Sequence, residues 1–457
     1  MSRLWTSAEI AAATHGQASG DFAVGGVAFD SREIGPGDLF IAMKGDVTDG
    51  HRFVDGAFAQ GAAGAIVSTP VPYPHVLVPD TMAALNALGV AARGRTQARI
   101  AGVTGSVGKT GTKEALAAAL ARANKGPVHR SVKSYNNHTG VPLSLSRMAA
   151  DTRFGVFEMG MNHAGEIAGL TRLVRPHVAL ITAIAPAHIE NLGSMEAIAD
   201  AKGEIFQGLE PGGTAIVPFD TPYRDRLLGH ARAHAATVLT FGRDPGADIY
   251  ARDVVPLDHG TMIVAVLPGA ELSFTLAQPG AHWVSNALAV LAAVQAMGGD
   301  LATAGLALAE LQGLAGRGAR HQLALADGAA LLIDESYNAN SVSMAATLAM
   351  LGKEQAVRRI AVLGEMRELG AESQALHAGL ADPVIDAGVD IAVLVGPGMA
   401  PLADALAGKV DVRHLSDAAS ALAMARDLVQ AGDAILIKGS NAVGLGAVVA
   451  GLTSGEG

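Results

Sequence analysis

The segment Gly102-Val-Thr-Gly-Ser-Val-Gly-Lys-Thr110 carries the chain's clearest chemical signal. Glycines let a backbone approach a ligand closely, and a loop that ends in a helix start aims N–H groups and the positive helix end at phosphate oxygens. Thr104, Gly105, Ser106, Val107 and Gly108 would form that cradle. Lys109 would neutralise the terminal phosphates, and the Thr110 hydroxyl would ligate Mg²⁺. The usual spacing places a further glycine five positions before Gly108, where this chain has Val103. A glycine turn with a surface lysine is the plain alternative, but the apolar run before the loop and the helical stretch after it favour phosphate binding.

Magnesium takes hard oxygen ligands, and a second ion would help neutralise charge on a phosphoryl group in transfer. Three residues could join Thr110 in such a site. Glu158 closes the apolar run from Phe154; a solvated carboxylate at a strand end is the alternative. His188 stands in APAHIENLG, where a lone histidine could equally be a loop residue. Lys202, in AKGEIF, could ligate only with a lowered pKa and after CO₂ adds to it as a carbamate; otherwise it is a salt-bridge partner for substrate.

These residues need elements that hold them at the ends of strands. From Arg99 onward short apolar runs alternate with helical stretches: Arg99 to Val103, then a helix from about Gly111 to Arg122, then Phe154 to Met159 and Val178 to Ile184. After GLAGRGARH a new series begins with ALLIDES, RIAVLGE, IAVLVG and AILIKGS. The pattern predicts an α/β protein with mostly parallel, doubly wound sheets, whose ligands sit at the strands' carboxyl ends. With 457 residues and about 150 per domain, the expected division is 1–97, 98–314 and 315–457. The first part has a Pro-rich passage (Pro70, Pro72, Pro74, Pro79) and a helix from Thr81 to Arg93.

Composition narrows the function classes. The formal charge is -10, and no basic stripe interleaved with aromatics is present, which argues against nucleic acid as a partner. Without cysteine there is no disulfide, thiolate metal site or thiol nucleophile. MSRLWTSAEIAAATHG lacks the pattern of a secretory signal, and the apolar stretch Ala287 to Met297 is too short to span a bilayer, so a cytoplasmic protein without membrane insertion is expected. Gly396-Pro-Gly398 imitates a dinucleotide fingerprint, but Pro401 replaces its third glycine, and NAD binding is rejected.

Together, TGSVGKTGTKE, SYNNHTGVP, FEMGMNHAGEI, AHIENLGSMEAIADAKGEIF, DESYNAN, LGEMRELGAESQALH and IKGS resemble the Mur ligase family, in its order, from about Asp30 to Asn441. The resemblance implies a small amino-terminal α/β domain for the UDP end of a substrate, a central P-loop ATPase domain with a mostly parallel sheet, and a carboxyl-terminal Rossmann-like domain. It implies an ATP-dependent ligase that adds D-alanyl-D-alanine to UDP-N-acetylmuramoyl-tripeptide through an acyl phosphate, in peptidoglycan precursor synthesis. ATP and two Mg²⁺ ions are the implied cofactors, and a monomer the implied state.

By residue, the resemblance gives Lys109 the β- and γ-phosphates, Thr110 and Glu158 the first Mg²⁺, and His188 and a carbamylated Lys202 the second. Asn136, Asn137 and Thr139 would face the muramoyl peptide; a self-capping Asn-rich turn is the alternative. His282 and Asn286 would contact adenine, beside Trp283 where the family commonly has Asn. Arg317, preferred to Arg320, would reach the γ-phosphate, while Asp334 and Tyr337 hold ribose and adenine, with Asn338 and Asn340 shaping the turn. Ser31 and Arg32, with the stretch Lys44 to His51, would meet the uridine diphosphate, and Lys438 the incoming dipeptide. The rivals are a folylpolyglutamate synthase, a sister Mur ligase adding one amino acid, a P-loop ATPase switch and a nucleotide-binding pseudoenzyme. DESYNAN and LGEMRELG count against the first two, and the long first domain against the first.

Overall fold

In a computed structural model, residues 3–45, 48–123, 125–186, 189–257 and 260–454 are described. Strands Arg99–Thr104, Phe154–Glu158 and Val178–Ile181 are apolar along nearly their whole length, as strands covered on both faces must be. They form the middle of a nine-stranded sheet that runs, edge to edge, through residues 270–276, 260–267, 249–257, 237–242, 214–218, 178–181, 99–104, 154–158 and 128–130. Pairing is parallel from 128–130 as far as 249–257, and the last three strands form an antiparallel meander.

Helices Lys109–Arg122, Ala281–Ala296 and Leu301–Ala309 cover one face of this sheet. Gly140–Ser146, Glu166–Val174, Met195–Gly203 and Arg224–His234 lie on the other side. Helix Ala281–Ala296 is buried over most of its circumference, which explains its apolar run: it is a core helix. No helix among the described residues is long and apolar enough to cross a membrane.

A second sheet has the strand order 319–325, 328–335, 434–438, 359–364, 391–395, 411–415, parallel except for the first hairpin. After Gly328–Glu335 the chain passes through helix Ser341–Leu351 to Arg359–Gly364, leaving a slot that Ala434–Lys438 fills last. Such a reversal opens a crevice at the carboxyl ends of the flanking strands, where Glu335 and Lys438 stand. The first part of the chain has its own five-stranded sheet, 17–18, 75–77, 64–67, 38–41 and 26–28, parallel apart from the first pair. It is stitched to the central part by the Trp5 indole N–H on the Ser146 carbonyl at 2.8 Å, by the Arg95 guanidinium donating to the Met148 carbonyl at 3.0 Å, and by Arg147 donating to the Val27 carbonyl.

Two expected elements end elsewhere. The helix after the phosphate loop begins at Lys109, because Gly108 takes φ 83 and lets the chain turn directly into it. The strand expected to reach Ile184 stops at Ile181, because Thr182 is recruited by the neighbouring loop.

The fully buried Leu288 of the core helix and the exposed Leu306 offer a direct contrast. Leu288→Ala is expected to cost about 2–5 kcal/mol in urea unfolding, and Leu306→Ala no more than about 0.5 kcal/mol.

Candidate active site

The carboxyl ends of the central and second sheets face one another across a cleft of about 690 Å³. Strand Arg99–Thr104 feeds the loop 105–108, which ends in helix Lys109–Arg122. Val103, where a glycine would be usual, is still inside the sheet: it pairs with Glu158 and Leu180 and is fully buried. The tight turn begins two residues later, at Gly105 with φ 147, where a Cβ would lie 1.9 Å from the Thr182 hydroxyl oxygen. That hydroxyl donates to the Val107 carbonyl at 2.5 Å, and the Ser106 N–H donates to the Ala183 carbonyl at 2.8 Å. Thr182, unmarked in the sequence, therefore shapes the loop from the adjacent strand.

The Lys109 ammonium donates to the Gly105 carbonyl at 2.7 Å. Its pKa is held below the ordinary lysine value by desolvation, with Arg317 adding to the effect and Glu158 opposing it. Thr110 donates its hydroxyl to Glu158 Oε2 at 2.8 Å, and Asn136 Nδ2 donates to Oε1 at 2.8 Å. Glu158 is thus a buried carboxylate paired on both oxygens, not a solvated strand end. Lys202 is buried on the same cleft, and burial with the nearby Lys109 pushes its pKa well below the ordinary value. His188 lies outside the described residues. Among the described residues no three His, Asp or Glu side chains gather as a ligand set. Mg²⁺ needs no such cage, since it keeps water and takes one or two carboxylates beside substrate phosphates. Glu158 and the Thr110 hydroxyl are hard oxygens of the kind it takes.

From the second sheet, Arg317 reaches the cleft over the Tyr337 ring, 4.2 Å from its centroid, and donates to Ser134 Oγ at 3.3 Å. Arg320 is instead held by both carboxylate oxygens of Glu354. Asp334 does not line the cleft: its carboxylate accepts from the Gly316 N–H at 2.6 Å and from the Ser336 N–H and hydroxyl at 3.1 and 2.6 Å. That locks the Gly-Arg-Gly turn onto the DESYN turn and so aims Arg317. Tyr337, Asn338, His282 and Asn286 do line the cleft. Trp283 does so too, and packs on Gly111, where a Cβ would meet the indole at 2.9 Å.

Asn137 lines the cleft, but its Oδ1 accepts from Thr139 and the Gly140 N–H, so that part of SYNNHTGVP is also the self-capping turn. Thr139 is not on the cleft wall, and Asn340 lines it while capping helix Ser341–Leu351. Lys438 is buried on the cleft and donates to the Asn338 carbonyl at 2.9 Å and to Glu335 at 3.4 Å. Burial lowers its pKa, with Glu335 opposing. Ser31 and Arg32 stand apart, on the short turn Ser31–Glu33, with Arg32 paired to Asp30. His51 is tied to Asp49 and to the Ser68 N–H. Ser134, Asn162 and His163 are cleft residues that no spacing singled out.

Known proteins share this architecture. Residues 23–121 match the Mur ligase family catalytic domain, 103–294 the Mur ligase middle domain and 319–441 the Mur ligase glutamate ligase domain. The UDP-N-acetylmuramoyl-tripeptide–D-alanyl-D-alanine ligase of Escherichia coli (strain K12) is 38% identical over 379 residues, covering 82% of each chain. MurF from Acinetobacter baumannii superposes with a TM-score of 0.84 at 31% identity, over 98% of this chain and 99% of that one. The MurF ligase of Thermotoga maritima, solved in complex with ADP, gives 0.77 at 27% identity over 94% and 97%.

Gly105→Ala is expected to distort the loop, since it combines a positive φ with the Thr182 clash. Calorimetry with ADP should show binding weakened by about 5- to 150-fold, as a distortion of roughly 1–3 kcal/mol implies.

Proposed function

The chain belongs to the Mur ligase family, and we propose that it joins D-alanyl-D-alanine to UDP-N-acetylmuramoyl-tripeptide with conversion of ATP to ADP and phosphate. The observation that carries this reading is one cleft in which Lys109 and Glu158 of the central part, the latter held by the Thr110 hydroxyl, face Arg317 from the last. That arrangement suits a charge-dense phosphoryl group passing between two substrates held by different parts of the chain.

A free carboxylate is a poor acyl donor, so the tripeptide carboxylate first attacks the γ-phosphorus. An O–P bond forms, the bridge to ADP breaks, and an acyl phosphate results. The dipeptide's neutral amine then attacks the acyl carbon; the C–N bond forms, the C–O bond to phosphate breaks, and the amine's proton is released. Lys109 and Arg317 would offset phosphate charge, and the cleft walls would keep water from the acyl phosphate. Thr110 and Glu158 would hold Mg²⁺, which when bound supplies further charge neutralisation at the phosphate oxygens. Lys202, its pKa lowered by burial, is suited to take up CO₂ as a carbamate and with His188 to hold a second ion.

We assign residues 1–97, with Ser31 and Arg32, to the UDP end of the substrate, 98–314 to ATP and 315–457 to the part that closes over it. Asn136, Asn137, Asn338 and Lys438 are assigned to the peptide substrates, and His282, Asn286 and Tyr337 to the nucleoside. Arg317 comes from the same chain as the phosphate loop, so a monomer suffices. Use of ATP and a UDP-linked precursor supports assigning the reaction to the cytoplasm.

Phosphate release from Mg-ATP should require both UDP-N-acetylmuramoyl-tripeptide and D-alanyl-D-alanine, with the pentapeptide nucleotide detected by mass. Release without either substrate, or no pentapeptide, would sink the reading in favour of an ATPase switch. Arg317→Ala should lower kcat by about 10²–10³-fold with little change in the KM for ATP, as for loss of one transition-state donor.

A further inference from the structure

Residues 131–137 run between the phosphate-loop helix and the strand bearing Glu158, and their backbone is fixed on both sides. The Ser131 N–H donates to the Val156 carbonyl at 3.0 Å, and the Gly160 N–H donates to the Asn136 carbonyl at 2.8 Å. Lys113, wholly buried in the helix that begins at Lys109, donates to the Ser131 and Lys133 carbonyls at 2.9 and 2.6 Å. Lys133 is held at φ 51, a left-handed conformation uncommon for a residue other than glycine.

From this fixed backbone, consecutive side chains reach three parts of the molecule. Ser134 Oγ lies 3.3 Å from the Thr110 hydroxyl and 3.3 Å from Arg317 Nη2. Asn136 holds Glu158. Lys133 and Tyr135 both turn to Glu33 of the first part of the chain, the Tyr135 hydroxyl donating to Oε1 at 2.8 Å and the Lys133 ammonium pairing with the same oxygen. Glu33 ends the short turn Ser31–Glu33 that carries Ser31 and Arg32. An anionic ligand that draws Arg32 away from Asp30 would act on the turn that bears Glu33. Tyr135 is the residue next to Asn136, so a shift at Glu33 arrives one peptide bond from the group that orients Glu158.

We propose that Glu33 and Tyr135 are positioning residues through which occupation of the first domain sets the geometry of Thr110 and Glu158, and so couples binding of the UDP-linked substrate to binding of the nucleotide. The proposal rests on the ligase reading above. Other contacts between the two parts, through Trp5, Arg95 and Arg147, already supply attachment, and none of those residues lines the cleft. The Glu33 contacts differ in leading directly to the Thr110–Glu158 pair.

The test is the Kd of Mg-ADP, by calorimetry, with and without saturating UDP-N-acetylmuramoyl-tripeptide, for the unaltered chain, Tyr135→Phe, Glu33→Ala and the double variant. In the unaltered chain the UDP substrate is expected to tighten Mg-ADP about five-fold or more, the lower range of ordinary coupling between sites. In both single variants that ratio should fall toward one while Mg-ADP affinity alone stays within about two-fold, and the double variant should add little because both changes break the same contact. Unchanged thermal midpoints would separate this result from a loss of fold. A ratio of one in the unaltered chain, or variants that keep its ratio, would overturn the proposal. If the unaltered chain fails to bind the UDP substrate at all, the ligase reading falls and the proposal with it.

Discussion

Glu158 has no exposed surface, and a buried ionised carboxylate is costly unless its oxygens are paired. Here the pairing is done by Thr110 on one oxygen and Asn136 on the other. The first bond ties the strand bearing Glu158 to the helix behind the phosphate loop; the second ties it to the segment that also touches Arg317 and Glu33. Much of the cleft is arranged around that one satisfied charge. Burial lowers the pKa of both Lys109 and Lys202, with the Lys109 charge adding to the effect on Lys202, so a site lined by these two amines and a shielded carboxylate is suited to added negative charge.

Two sheets of the same doubly wound type put their carboxyl ends toward one another, and this determines what each can contribute. The central sheet presents a backbone cradle and oxygen ligands. The second presents cations, Arg317 and Lys438, each aimed by neighbours: Asp334 locks the turn that carries Arg317, and Glu335 with the Asn338 carbonyl holds Lys438. Carboxylates serve here as positioning groups, Asp334 through Gly316 and Ser336 and Glu335 through Lys438.

Much of the site was legible because its motifs are local. A strand, a glycine turn and a helix start are consecutive, so Lys109 and Thr110 could be placed without knowing what packs against them. Arg317 was distinguished from Arg320 by its flanking glycines, and the structure pairs Arg320 with Glu354. For Asp334 the resemblance implied a ribose contact, and what the fold adds is its bonding to Gly316 and Ser336, which no spacing along the chain could show. Thr182 was missed because its hydroxyl matters only through Gly105 and Val107 of the neighbouring loop, more than seventy residues away in sequence.

The sequence by itself determined the alternation of strands and helices, the phosphate loop and the family resemblance, because each depends on residue types at short spacing along the chain. It also carried the oddity at Val103, whose explanation needed the sheet register that places this residue between Glu158 and Leu180. Tertiary structure alone decided that Ser134 touches both Thr110 and Arg317, that Glu33 reaches Tyr135, and that Trp283 lies on Gly111. Hydrogen bonds and packing act over a few ångströms, and folding alone brings residues a hundred positions or more apart within that range.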